Sequence, residues 1–203
     1  DRGVPAGSSK KRVGPSKATT KKLADNVRTE AVAVLDKFGA IPYHPEKEDK
    51  RSALDNDQAA EVTAILTKLD ELADGTSLVT TEIEDLRVRA LLLLGRANEA
   101  RKLADDLAVA RPLPFNKALL GVALYASRRN EEALKIFQDL LRGTRTDTKM
   151  PEVHYYAANC LFQLGREEEA FQEWSAYLAI VEGQPTPKWR EPFVARAKVQ
   201  LGR

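Results

Sequence analysis

The sequence is poor in the residues from which metal centres, disulfides and membrane spans are built. It holds one cysteine, Cys160, so no internal disulfide can form, and a single thiol leaves the redox compartment open. Two histidines, His44 and His154, stand far apart, and His154 precedes Cys160 by six residues, which points the two side chains to different faces of a helix. That scatter offers no zinc or catalytic constellation, and no cofactor is expected. No phosphate-cradling glycine loop and no nucleophile elbow occurs. The densest apolar stretch, Ala90 to Leu94, is far below the roughly 18 residues a transmembrane helix needs. Aromatic residues are scarce, at 6%.

What is present favours helices. Hydrophobic residues make up 43% and charged residues 31%, with Ala, Leu, Glu, Lys and Arg prominent. The formal charge of +2 is unevenly placed: residues 1–22 carry +6, which leaves −4 for the rest. Residues 1–15 are Gly, Pro, Ser and basic residues without apolar periodicity and read as a flexible arm. Its cations and those just beyond, Lys10, Lys11, Arg12, Lys17, Lys21 and Lys22, admit three readings: a solvated linker, attraction to anionic lipid, or contact with nucleic-acid phosphate. The linker is favoured and nucleic acid disfavoured, because the arm has no aromatic residue on which a base could stack. The chain begins at Asp1 and its only methionine is Met150, so the expectation is an incomplete translation product, with a leader, an anchor or a further domain as what could precede it. With the basic arm this leans towards an exported bacterial protein held near a membrane, over a cytoplasmic one.

Residues 16–78 read as two helices joined by a long loop. Ser16 can cap the first, whose apolar residues Leu23, Val27, Ala31, Val34, Leu35 and Phe38 recur at helical steps, and Gly39 can close it. The stretch "AIPYHPEKEDKRSAL" carries prolines and a charge run and is expected to be a loop. Asp55 and Gln58 are spaced as a capping box for a second helix with Val62, Ile65, Leu66, Leu69 and Leu72 on one face and Gly75 as its stop.

From there the punctuation becomes regular. Thr81 and Glu84 can cap a helix ending at Gly95, and a shorter one stops before Pro112. Pro114 opens a helix ending near Arg128 whose partner runs to Gly143; Pro151 opens another ending at Gly165 whose partner runs to Gly183. A last helix, about Trp189 to Leu201, has an end cap's spacing. The turns repeat in sequence too: "LGRANEA" (94–100), "SRRNEEA" (127–133) and "LGREEEA" (164–170) end in Ala100, Ala133 and Ala170, spaced 33 and 37 residues apart. Glu167, Glu168 and Glu169 open a helix, where negative charge favours the positive end of the dipole.

These spacings lie near the 34-residue unit of the tetratricopeptide repeat, and the motif positions follow. The middle unit has Leu120, Gly121, Leu124, Ala133 and Phe137; the third has Ala157, Ala158, Leu161, Ala170 and Trp174. The first departs most, with Val88 and Ala104, but keeps Ala100 and Pro112. Residues 79–183 thus resemble the tetratricopeptide repeat family. The resemblance implies an all-α fold: antiparallel helix pairs stacked as a short right-handed solenoid, flanked by N-terminal helices (16–78) and a capping helix (184–203).

It also implies that the first helix of each pair lines a concave face where partners dock. Carried onto this chain, that face is Glu82, Asp85, Arg89 and Leu92, then Phe115, Ala118, Val122 and Tyr125, then Glu152, Tyr155, Asn159 and Phe162. One end is charged; the other is apolar and suits a hydrophobic segment or amphipathic helix, with Tyr125, Tyr155 and Phe162 as anchors. The competing reading is that the chain's own N-terminal helix or cap packs there. Asp85, Val122 and Tyr155 poorly replace the basic and amide residues with which chaperone-binding members clamp a terminal carboxylate, so an acidic C-terminus is disfavoured as ligand. The expected role is a noncatalytic scaffold or assembly subunit; the alternatives are a self-associating module, or a regulator touching anionic lipid or nucleic acid through the arm.

Overall fold

The computed structural model describes residues 17–44, 54–75, 83–143 and 149–202. Helix α1 (Lys17–Leu35) passes into one 3₁₀ turn (Asp36–Phe38), and an irregular segment follows to His44. Helix α2 (Asn56–Gly75) precedes three antiparallel pairs: α3 (Glu84–Leu93) with α4 (Ala97–Ala110), α5 (Pro114–Ala126) with α6 (Asn130–Leu141), and α7 (Glu152–Gln163) with α8 (Glu167–Val181). A 3₁₀ turn (Lys188–Arg190) then leads into α9 (Glu191–Gln200). The expected last helix therefore begins later than Trp189. Pro192, which lacks a backbone N–H, sits in its first turn, where none is needed.

The capping box forms: the Asp55 N–H donates to Gln58 Oε1 (3.0 Å) and the Gln58 N–H to Asp55 Oδ1 (2.8 Å). Thr81 and Glu82, expected at the start of the first pair, lie outside the described residues.

The echoed heptads are the turns inside the three pairs. In each, the chain crosses into the left-handed region at one residue, Gly95 (φ 70°), Arg128 (φ 64°) or Gly165 (φ 76°). The following N–H then reaches back five residues: Arg96 to Leu91 O, Arg129 to Leu124 O and Arg166 to Leu161 O, each 2.9 Å. Those three arginines each pair with a glutamate three residues on, Glu99, Glu132 and Glu169. Ala100, Ala133 and Ala170 are fully buried one turn later, where a larger side chain would push the paired helices apart.

Candidate functional site

The first-helix residues expected to line a concave face are largely covered. Arg89, Leu92, Val122, Tyr125, Tyr155 and Asn159 are buried, as are Ala118 and Glu152, whereas Asp85, Phe115 and Phe162 are half-buried. The cover comes from the same chain. After the 3₁₀ turn, residues 39–44, "GAIPYH", run over the first helices as a strap. The Tyr156 hydroxyl donates to the Pro42 carbonyl (2.6 Å) and accepts from the His44 N–H (2.9 Å). The Tyr43 ring packs edge-on against Phe193 of α9 (4.9 Å between centroids) and tilted against Tyr155 (6.0 Å), and the His44 ring stands edge-on to Tyr125 (6.2 Å). At the strap's start, one Arg89 Nη donates to Asp36 Oδ1 (2.8 Å) and to the Gly39 carbonyl (2.9 Å).

The C-terminal cap closes the same nest. Phe193 lies 5.0 Å from the Tyr155 ring, edge-on, and Arg190 donates to buried Glu152 at 2.8 Å while stacking over Trp189. Gly39 faces Trp189 so closely that a Cβ there would lie 2.6 Å from the indole, and its φ of 82° disfavours other residues as well.

Of the expected groove residues, Arg89, Tyr125 and Tyr155 meet the strap. Asn159 and Phe162 are engaged with α8: Asn159 Oδ1 accepts from Trp174 Nε1 (3.0 Å), and the Phe162 ring lies 5.5 Å from the Trp174 ring. At the apolar end the strap thus occupies the side of Tyr125 and Tyr155 that a partner was expected to contact. The charged end is different. Arg28, Val32, Asp85, Leu86, Arg89, Arg111, Leu113, Phe115 and Asn116 line an open cleft of ≈270 Å³ between α1, α3 and the α4–α5 turn.

Burial sets the electrostatics of the face. It pushes the Tyr155 and Tyr156 hydroxyls well above the usual phenol range and the Cys160 thiol up likewise, so Cys160 is a small buried hydrophobe rather than a thiolate. Burial also raises the carboxyls of Glu152 and Asp85, against the opposing pull of Arg190 and Arg89 respectively. His154 Nδ1 lies 2.6 Å from Glu173 Oε2 on α8 and takes no part in the face. Among the described residues no group of three His, Cys, Asp or Glu side chains could hold a metal ion, and no helix is long and apolar enough to cross a membrane. Lys10, Lys11 and Arg12 of the arm lie outside the described residues; Lys17 opens α1, and Lys21 and Lys22 are exposed along it.

Known structures share this fold. The chain is similar to MamA of AMB-1 in two crystal forms, at 20% identity and a TM-score of 0.52 over 79% of this chain and 98% of that one, and at 19% and 0.51 over 84% and 96%. It is likewise similar to MamA of MSR-1, at 18% and 0.53 over 82% and 98%. No protein-family model and no curated protein matches the sequence. The chain is an all-α, tetratricopeptide-type solenoid of antiparallel helix pairs flanked by further helices.

Sequence reasoning missed Tyr43, His44 and Tyr156 as parts of this face. The available signal was Ile41 and Tyr43: large apolar side chains sit oddly in a stretch whose prolines and charge run mark it as a loop, and both are buried.

Proposed function

We propose that the protein is a noncatalytic interaction scaffold, and that the apolar end of its concave face is a binding groove for a non-helical segment bearing an aromatic side chain. The observation that carries this reading is the strap. Residues 39–44 lie in irregular backbone outside any helix, are held through main-chain groups by Tyr156 and Arg89, and insert one aromatic ring, Tyr43, into a nest of rings. A groove that takes main-chain hydrogen bonds and one anchoring ring from its own chain has the chemistry to take them from another. The tethered strap competes at a high effective concentration, so an outside segment must displace it or find it loosened.

The test uses a Tyr43→Ala chain and a synthetic peptide of residues 38–44. The peptide is expected to bind this variant in trans and to raise its melting temperature, while a peptide with alanine in place of the tyrosine does neither and the wild-type chain binds weakly. If the variant stays folded and the peptide neither binds nor stabilises it, the strap is a piece of core and the groove reading fails.

A further inference from the structure

We infer that the C-terminal cap, the 3₁₀ turn at Lys188–Arg190 together with α9, is a lid on the strap, and that the strap leaves the first helices only when the cap does. The inference deepens the groove reading above and rests on it, because it names what controls entry to that groove.

Strap and cap share their contacts. Gly39, where the strap begins, packs against the Trp189 indole so tightly that a Cβ there would lie 2.6 Å from the ring. Tyr43, near the strap's end, meets both Tyr155 of α7 (6.0 Å between centroids) and Phe193 of α9 (4.9 Å). Phe193 is fully buried and also meets the rings of Tyr155 at 5.0 Å and Tyr156 at 6.0 Å. The anchoring ring of the strap therefore touches the first-helix face and the cap at once. Withdrawing it uncovers an edge of Phe193, and lifting the cap uncovers Tyr43; either step exposes apolar surface that the other element was burying.

The cap depends on that shared patch. Helix α9 is ten residues long, shorter than the roughly 12–15 residues at which an isolated helix becomes even marginally stable in water, so its order comes from packing. Its buried residues are Phe193 and Ala197, and Phe193 is the one that meets the strap. An element with so few buried side chains opens at low free energy. Because strap and cap each lose part of their seat when the other leaves, their openings are coupled, and the coupling is reciprocal. An outside segment then takes the strap's place by way of the state in which both are off, and the cap closes over its aromatic ring as it closes over Tyr43.

The ion pair of Arg190 with Glu152 supplies a handle, since it fastens the cap through two residues outside the strap. The test is amide hydrogen exchange of the full chain at neutral pH in increasing urea. In the wild type, the His44 amide, which donates to Tyr156, and the amides of α9 are expected to converge on one opening free energy, below that of the α6 amides. Arg190→Ala should raise the rates at His44 and in α9 together, by at least about tenfold. Tyr43→Ala should in turn speed the α9 amides. Faster exchange in α9 with an unchanged His44 amide overturns the inference, as does an α9 unaffected by Tyr43→Ala. Convergence of both places only at the free energy of α6 overturns it too, because cap and strap then open only with the whole chain. Should Arg190→Ala fail to fold, the milder Glu152→Gln is read in the same way. These rates are measured in the free chain, whereas the strap-peptide experiment measures binding, so a failed lid and a failed groove are told apart.

Discussion

The hydroxyl of Tyr156 bridges the strap: it donates to Pro42 O and accepts the amide of His44, at 2.6 and 2.9 Å. One phenol on the middle of α7 thus satisfies two main-chain groups more than a hundred residues away in sequence. Tyr156→Phe leaves the ring packing in place and removes both bonds, stranding a partly buried acceptor and donor. A loss of about 1–3 kcal/mol in urea denaturation is expected. The amide of His44 should exchange with solvent faster while amides in α6 do not; uniform acceleration across the chain would show that the bridge is not local to the strap.

The ion pair of buried Glu152 with half-buried Arg190 fastens the cap to α7, and its pH dependence can be signed. Burial raises the Glu152 carboxyl and Arg190 pulls it back down. Arg190→Ala removes the opposing pull, so the folded-state value rises further above the unfolded one. The folded chain then binds a proton at a pH where the unfolded chain does not, and stability increases as pH falls through that window. The variant should be about 3–5 kcal/mol less stable at neutral pH, where a charge is left buried and unpaired, with the deficit shrinking as the pH falls. Glu152→Gln should cost less and show little of this recovery. A deficit for Arg190→Ala that widens on acidification would contradict the assignment.

Much of the architecture was legible because its determinants are local. Gly95, Gly165 and the Asp55–Gln58 box each specify a turn or cap through residues within a few positions, and the buried alanines repeat at the spacing of the pairs. That the chain itself covers the face was one of the two readings the sequence allowed, but the strap was not legible, because Pro42, Tyr43 and His44 are held by Tyr156 and Phe193, contacts that no local pattern encodes. Prolines and a following charge run mark the stretch from Ala40 as a loop, and residues 40–44 are irregular, but nothing in that pattern tells that Ile41, Pro42 and Tyr43 are buried. The open cleft escaped notice for a related reason. Arg28 stands on a helix outside the repeats, and only folding brings it beside Arg89 and Arg111.

Within the middle pair, Gly121 and Phe137 are in direct apposition. A Cβ added at Gly121 would lie 2.5 Å from the Phe137 ring, which is itself fully buried and stacked on Tyr156. The ring has no room to retreat, so Gly121→Ala should lower stability by about 1–3 kcal/mol through overpacking, despite alanine's better helix propensity. Phe137→Leu in the same chain relieves the clash, and the double variant is expected to lose less than the two single losses added together. Strict additivity in denaturant midpoints would mean that the two positions are not in contact.

Arg128 occupies the place that Gly95 and Gly165 hold in the other pairs, with the same left-handed backbone at φ 64°. For an L-residue with a side chain that conformation costs about 1 kcal/mol, a cost glycine escapes. Against this, glycine makes the unfolded chain more flexible, which takes back part of the gain. Arg128→Gly should therefore stabilise the protein by roughly 0.5 kcal/mol, because the helix-closing bonds at this turn, Arg128 N–H to Tyr125 O and Arg129 N–H to Leu124 O, are made by the backbone and survive the change. The reverse comparison sharpens the test. At Gly95 nothing lies within 4 Å of an added Cβ, so Gly95→Ala meets no clash and its expected loss, about 1 kcal/mol, reports the backbone cost alone. Opposite signs for these two substitutions in urea midpoints are the expected result; a destabilised Arg128→Gly chain would show that the arginine side chain contributes more at this turn than its backbone costs.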